Sequence, residues 1–139
     1  MMRVGFLPGD FDPMVLLLGE ADDCRTLAAV LRQFARDGAD VSISALGFCQ
    51  VVGPDVVLTA ADGPPGVEHD QGQRLLWRVP PRTAAAFARQ LDDLAGVGRI
   101  AGSEYLQCGS LDGIAVKVSR GEYTADFLLG PAAKLAGTR

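Results

Sequence analysis

The densest set of side chains that could bind a metal or transfer a proton is Glu68-His69-Asp70. His69 is the only histidine of the chain, whereas a zinc site needs several His, Cys, Asp or Glu ligands that converge on one point. Adjacent residues point in different directions, and loops collect polar residues, so this pattern favours a solvated loop. We therefore expect neither a metal site nor a cofactor here.

Two other patterns could carry chemistry, and each has a simpler structural explanation. Asp10 and Asp12 flank Phe11 before a proline, which is typical of a turn because aspartate forms hydrogen bonds with its own backbone. Nucleophilic catalysis needs a serine or cysteine beside a base, but Cys108 falls at a predicted strand end, where a small buried thiol is more common. The sequence predicts a protein without catalytic residues.

Acidic and aromatic residues cluster in the final third of the chain. A hairpin turn at 109–113 would bring Glu104 close to the 120–123 segment. We expect a polar and aromatic binding patch there, with a strand edge and a capping segment as the structural alternative. Its residues are Glu104, Tyr105, Asp112, Glu122, Tyr123 and Asp126. Trp77 joins the candidates, because an apolar groove between the two halves would pass near Trp77 and Tyr105.

The elements that must position these residues follow from the hydrophobic pattern. The first half predicts a strand at 14–18, a helix at 22–37 with apolar residues at helical spacing, and strands at 41–45 and 56–60. Glycine and proline predict irregular structure at 1–13, 47–55 and 61–73. The second half predicts a strand at 74–79, a helix at 81–95, and strands at 104–108 and 114–119.

The halves, about 14–60 and 74–119, correspond under a shift of sixty positions. The shift aligns Leu31 with Leu91 and Val56 with Val116. We expect an α+β fold of two duplicated βαββ halves, which form one mainly antiparallel six-stranded sheet with two helices on one face. The segments 1–13 and 124–139 would be an irregular N-terminus and a tail of this single domain, 1–139.

Composition restricts the function further. The chain has 139 residues, 48% of them hydrophobic, which suits one globular domain. Its net charge of −4, with basic residues scattered among acids, disfavours nucleic-acid binding. No apolar run approaches the length of a signal peptide or membrane span, and three cysteines far apart fit reduced thiols. We expect a cytoplasmic protein that does not contact a membrane.

The segments 103–106 and 112–123 resemble a C-terminal signature of small, mostly uncharacterised bacterial proteins, some of them grouped with the immunity proteins of polymorphic toxin systems. The preceding 76–81 segment and its helix look like the same pattern, so the resemblance covers about half of the chain. Two positions depart from it: Ser103 stands where histidine is common, and Gln107 stands where aspartate is common.

Two functions from different classes follow from these observations. The first is a non-enzymatic interaction protein, which the resemblance makes an immunity protein that binds a cognate toxin. An acidic protein would attract a basic toxin domain. The alternative comes from an architectural resemblance. Tandem strand-helix-strand-strand halves resemble the duplicated bacterial small-molecule sensor domains, which implies a small-molecule-binding domain with its ligand in a groove between the halves. A homodimer stays open under either hypothesis.

Overall fold

The computed structural model describes residues 1–8, 13–96, 101–107 and 113–121. Within these ranges lie two helices, α1 (Ala21–Asp37) and α2 (Pro81–Leu94). The strands are β1 (Met2–Leu7), β2 (Met14–Gly19), β3 (Val41–Ser42), β4 (Cys49–Val52), β5 (Val56–Thr59), β6 (Gly66–His69), β7 (Leu75–Arg78), β8 (Gly102–Tyr105) and β9 (Ala115–Arg120). A 3-10 turn, Ile43–Ala45, follows β3. The expected α+β class is confirmed.

Capping residues at both ends of α1 form hydrogen bonds with backbone groups that have no partner within the helix. Glu20 precedes it and forms a reciprocal capping box with Asp23, whose carboxylate accepts a hydrogen bond from the Glu20 N–H at 2.9 Å. Gly38 ends the helix in the left-handed conformation, with φ 66°, and its N–H donates to the Phe34 carbonyl at 2.8 Å. The helix predicted at 22–37 is confirmed.

Helix α2 packs directly against α1. Pro81 occupies its first turn, where the missing N–H costs nothing. Arg32 of α1 forms an ion pair with Asp92 of α2, and these two positions correspond under the shift of sixty residues. Positions that correspond in sequence therefore touch each other where the two helices pack.

The strands form two mixed sheets. The five-stranded sheet has the order β4-β1-β2-β9-β8, and the four-stranded sheet has the order β3-β5-β7-β6. Each sheet contains a parallel pair to which each half contributes one strand: β2 with β9, and β5 with β7. Helix α1 leads from the first of these sheets to the second, and α2 leads back, so each half completes the sheet of the other.

The two parallel pairs have the same register. Val15 lies opposite Val116 in the five-stranded sheet, and Leu75 lies opposite Val56 in the four-stranded sheet. A shift of sixty residues converts the first pair into the second, since it takes Val15 to Leu75 and Val56 to Val116. The pairing therefore follows the sequence correspondence of the halves. Their origin by duplication stays a prediction.

One apolar core joins both helices to one face of each sheet. Its fully buried side chains include Met2, Leu17, Leu27, Leu31, Phe34, Ile43, Leu58, Leu75, Trp77, Phe87 and Leu91. On the opposite face of β2, Leu16 and Leu18 are also buried, in a separate small cluster beside Leu7 and Met14. Both faces of this central strand are therefore apolar, as its uninterrupted apolar sequence requires.

The prediction of one mainly antiparallel six-stranded sheet is wrong. The described residues contain two sheets, and the pairs that join the halves are parallel. An alternating apolar pattern depends on near neighbours in the chain, whereas strand pairing depends on the path that the chain takes through α1 and α2. The pattern therefore identified strands without identifying their partners.

The irregular structure predicted at 1–13, 47–55 and 61–73 is also corrected, because these segments contain β1, β4 and β6 respectively. Glycine and proline within and beside these segments hid strands of four to six residues. Conversely, the strand predicted at 41–45 is shorter in the structure. Only Val41–Ser42 form β3, and Ile43–Ala45 form the 3-10 turn. For β1, β4 and β6, pairing with another strand of the sheet decided the local conformation.

Leu31 and Leu91 occupy equivalent, fully buried positions on the two helices. We expect Leu31→Ala and Leu91→Ala each to lower the free energy of unfolding by about 2–5 kcal/mol, because each change leaves a cavity in the shared core. Denaturant melts measure this loss. Arg89→Ala, on the exposed face of α2, is the control and should change stability by less than about 0.5 kcal/mol. A loss below about 1 kcal/mol at either leucine would contradict the prediction.

Asp55 connects the turn after β3 to the start of β5. Its carboxylate accepts hydrogen bonds from the Ser42 hydroxyl, from the Ser44 N–H at 3.0 Å and from the Val56 N–H at 2.8 Å. Partial burial opposes ionisation of this group, but the hydrogen bonds outweigh burial and hold the pKa of Asp55 below its ordinary value. The charged form is therefore the one that stabilises this connection.

We expect Asp55→Asn to destabilise the protein at neutral pH, and the difference from the wild type to shrink as the pH falls. A lowered folded-state pKa stabilises the fold above the unfolded pKa of about 3.9, and this contribution is lost as the pH falls through the folded value. Urea melts at several pH values between about 2 and 7 would measure the difference. A difference that stays constant down to the lowest pH would contradict this account.

Candidate functional site

Glu104 and Tyr105 are neighbours on β8 and project to opposite faces of the five-stranded sheet. The Glu104 carboxylate turns toward α2, where it accepts a hydrogen bond from Gln90 Nε2 at 3.1 Å. Tyr105 is 47% exposed, and the Lys117 ammonium lies 5.6 Å from the centroid of its ring. The two residues therefore do not share one surface patch.

The other members of the expected patch are Asp112, Glu122, Tyr123 and Asp126, which lie outside the described residues. The hairpin that should bring them to Glu104 is present as the antiparallel pair of β8 and β9. Arg120, at the end of β9, donates to the carbonyls of Leu94 at 2.9 Å and Gly96 at 3.1 Å. This arginine therefore binds the C-terminal end of α2. The patch itself stays a prediction.

Trp77, the only tryptophan of the chain, is 1% exposed and lies on β7 facing the core. Its ring stacks on Phe87 of α2, with centroids 6.0 Å apart and planes 19° apart. Trp77 also forms part of the wall of a cleft, which opens between the end of the four-stranded sheet and the β8–β9 hairpin. Of the residues predicted for a groove between the halves, Trp77 lines this cleft and Tyr105 does not.

The cleft has a volume of about 240 Å³. Val67, Trp77, Leu106, Ile114 and Val116 supply its apolar side chains. The remaining lining residues are Pro64, Pro65, Gly66, Glu68, Gln107, Gly113 and Ala115. One isolated antiparallel bridge, between Val67 and Ile114, joins the two sheets beside it.

The charge of Glu68 points away from the apolar wall of the cleft. Because side chains alternate along β6, Glu68 projects to the face opposite Val67, where it forms an ion pair with Arg78. The Glu68 carboxylate therefore has its partner on the face of β6 that points away from Val67. Glu68 and Gln107 nevertheless line part of the cleft, so an occupant would meet these residues beside the apolar wall. The wall around Trp77 itself suits an apolar group.

The volume limits how large that occupant can be. An engineered apolar cavity of about 150 Å³ holds one benzene molecule, and pockets for drug-sized ligands range from about 300 to 1,000 Å³. At about 240 Å³, the cleft fits a single ring or one branched side chain. A dinucleotide or a comparably large cofactor would exceed it.

Residues 68–70, the first candidates for metal chemistry, have separate partners. Glu68 pairs with Arg78, His69 contacts the Phe6 ring edge to face with centroids 5.4 Å apart, and the Asp70 carboxylate accepts from Arg74 Nε at 2.8 Å. The last contact lowers the pKa of Asp70. Across the part of the chain that the structure describes, no group of three or more His, Cys, Asp or Glu residues could hold a metal ion.

The described thiols, Cys24 and Cys49, are both buried. Burial is the main cause that raises the pKa of each to about 11, and the nearby Asp23 carboxylate adds to it. At neutral pH both groups are therefore protonated, and a protonated thiol is a poor nucleophile. Cys108 lies outside the described residues.

Comparisons with protein-family models, curated proteins and solved structures found no match to this chain. Neither described helix is long and apolar enough to cross a membrane.

The sequence missed most of the cleft residues. The sequence pattern places Val67 in a loop, and it predicts Leu106 and Ile114 as strand residues without a role in a site. Trp77 is the one cleft residue that the sequence could indicate. It aligns with Leu17 under the shift of sixty residues, so the two halves differ in side-chain size at this position. The remaining members meet only because two different sheets end next to each other.

We expect the two buried thiols to react slowly with a disulfide reagent. In a Cys108→Ser variant, which leaves Cys24 and Cys49, the rate at pH 8 should be about a hundredfold or more below that of the unfolded chain, because a pKa near 11 leaves little thiolate. Absorbance of the thiolate that the reagent releases measures the rate. Reaction of either thiol at the unfolded rate, with the fold intact by circular dichroism, would contradict this expectation.

Proposed function

We propose that this chain is a non-enzymatic interaction protein, and that its cleft receives one apolar anchor side chain of a protein partner. The observation that carries this proposal is the apolar wall around Trp77, in a volume that matches one large side chain. Protein interfaces concentrate their binding energy in a few such anchors, which fill well-packed pockets. No chemical step is needed for this function.

The charge of the chain supports a basic partner. Its net charge of −4 would raise the rate of association with a positively charged protein, and a buried apolar anchor would slow dissociation. The resemblance of the C-terminal half to immunity proteins makes a toxin domain the partner class to test first.

A second candidate function rests on the same cleft. A free small molecule with one ring or one branched aliphatic group could occupy the volume without any protein attached. The two functions differ in what is lost when the cleft is filled: a protein complex in the first case, and only a small ligand in the second.

The first test asks whether the cleft accepts an apolar group. Cyclohexanol should change the fluorescence of Trp77, the only tryptophan, in a saturable way. Ile114→Phe adds bulk to the cleft and should weaken that binding by at least about tenfold. Leu76→Phe, which adds bulk on the opposite face of β7, is the matched control and should change the affinity by less than about twofold.

The second test separates the two functions. Proteins captured from host extract by the wild type and by Leu76→Phe, but lost with Ile114→Phe, would be partners that use the cleft. Binding of the same purified partner should be inhibited by cyclohexanol. If Ile114→Phe folds normally and retains both cyclohexanol and every captured protein at wild-type affinity, the proposed site is wrong.

A further inference from the structure

The face of the five-stranded sheet that points away from both helices, its outer face, carries the second apolar cluster. Val15 and Leu17 on β2 join the core with α1 and α2. Because side chains alternate along a strand, Leu16 and Leu18 stand on the outer face. Leu16 is nevertheless only 1% exposed and Leu18 only 5%. The other described members of their cluster come from β1 and β2 alone.

The strands beside β2 do not account for this burial. Leu16 lies between Gly5 on β1, which has no side chain, and Lys117 on β9. The Lys117 ammonium lies 5.6 Å from the centroid of the Tyr105 ring on β8, so this side chain extends away from β2. Side chains stand nearly perpendicular to a sheet, so neighbours shield the flanks of a leucine and leave its tip open. Because Leu16 is buried in the single chain, another part of the same chain covers it.

A buried serine extends the covered area to β9. Ser119 lies opposite Leu18 and is buried as well. It stands on the outer face, because Val118 beside it belongs to the core. The cover therefore spans β2 and β9 near the end of both strands.

The chain leaves the sheet at this same end. Arg120, the last residue of β9, lies opposite Gly19, the last residue of β2. Gly121 follows with φ 73°, a left-handed conformation that glycine adopts readily and that turns the chain. The next residues therefore start beside Leu18 and Ser119.

The sequence after this turn has the composition that the cover needs. Residues 122–139 lie outside the described ranges and contain the apolar run Phe127-Leu128-Leu129. Along β2, Leu16 is about 10 Å from Gly19, and the 122–126 segment can span about 16 Å when extended. The apolar run can therefore reach back over Leu16.

The other segments outside the described ranges start in less suitable places. Residues 9–12 join β1 to β2, and 108–112 lead from β8 into β9, both at the end of the sheet opposite Leu18. Residues 97–100 lead from α2 to β8, which β9 separates from β2. This short segment would have to cross β9 and return in order to cover Leu16.

We propose that residues 122–139 turn back after Gly121 and lie across the outer face of the five-stranded sheet, where the apolar run 127–129 covers Leu16 and Leu18. Removal of both apolar surfaces from water holds the segment in place. This docking surface is separate from the cleft at Trp77, which lies on the core side, and the proposal does not depend on the cleft.

Docking of this segment would also assemble a binding surface. Tyr105 stands on the outer face, where it is exposed beside Lys117. Glu122, Tyr123 and Asp126 belong to the docking segment, so docking would bring them to the side of the sheet on which Tyr105 is exposed. The acidic and aromatic patch expected from the sequence would then exist only while the segment is docked.

An introduced thiol measures the cover. Leu18→Cys, made together with Cys108→Ser, should react slowly with a disulfide reagent. Changing residues 127–129 to serine should raise the rate of this thiol at least about tenfold, because reaction needs an accessible thiolate. The core thiols Cys24 and Cys49 are internal controls, and their rates should change by less than about twofold. Mass spectrometry of the labelled peptides separates the rates.

A second measurement does not depend on the stability of the serine variant. A benzophenone amino acid replaces Phe127 in the otherwise wild-type chain and is activated by light. The cross-link should form with β2 or with its neighbours β1 and β9, and mass spectrometry locates it. Cross-links confined to the helices or to the four-stranded sheet would overturn the proposal.

The thiol rates also identify any other cover. If the serine changes at 127–129 leave the rate in Leu18→Cys within about twofold, residues 122–139 are not the cover. Phe11→Ser, Ile100→Ser and Leu111→Ser probe the three other segments, and a rise of about tenfold with one of them instead would assign the cover to that segment. A rate that falls as the protein concentration rises would assign it to a second copy. Each of these results would overturn the proposal.

Discussion

The parallel pairing of β2 with β9, repeated by β5 with β7, is the constraint on which the rest of the structure depends. Each pair takes one strand from each half of the chain, so neither half can complete a sheet alone. Helices α1 and α2 must then carry the chain from one sheet to the other and back. Their contact buries the remaining apolar faces, and the ion pair between Arg32 and Asp92 marks where they cross.

The exchange of strands also produces the cleft. Here the start of β6 meets the residue just before β9, through the isolated bridge of Val67 and Ile114. In the first half, β4 closes the equivalent place. The difference leaves Trp77 with its Phe87 stack on one side and an apolar opening on the other. Within the described residues, the cleft therefore lies at a place where the two halves differ.

The polar groups of the described residues mostly serve the fold. Asp55 anchors the turn after β3, Asp23 caps α1, and Arg120 binds carbonyls at the end of α2. Their hydrogen bonds satisfy backbone groups at the ends of helices and in a turn. The apolar cleft is the feature that these structural roles do not account for, which is why the proposed function is built on it.

The sequence by itself determined both helices, because an apolar stripe at helical spacing needs no distant partner to be recognised. It also determined the apolar strands β2, β5, β7 and β9 and the correspondence of the halves at sixty residues. Each of these features depends on residues close together in the chain. The hypothesis of a groove between the halves named Trp77, which lines the cleft, and Tyr105, which does not.

Only the tertiary structure decided which strands pair, and with what direction. The short strands β1, β4 and β6 exist because a neighbouring strand offers a ladder, which outweighs the glycine and proline near them. The same pairing turns Glu104 toward α2 and Tyr105 toward Lys117, and it brings Val67 to Ile114. These contacts join residues far apart in sequence, and a local periodicity carries no information about which distant segments the chain brings together.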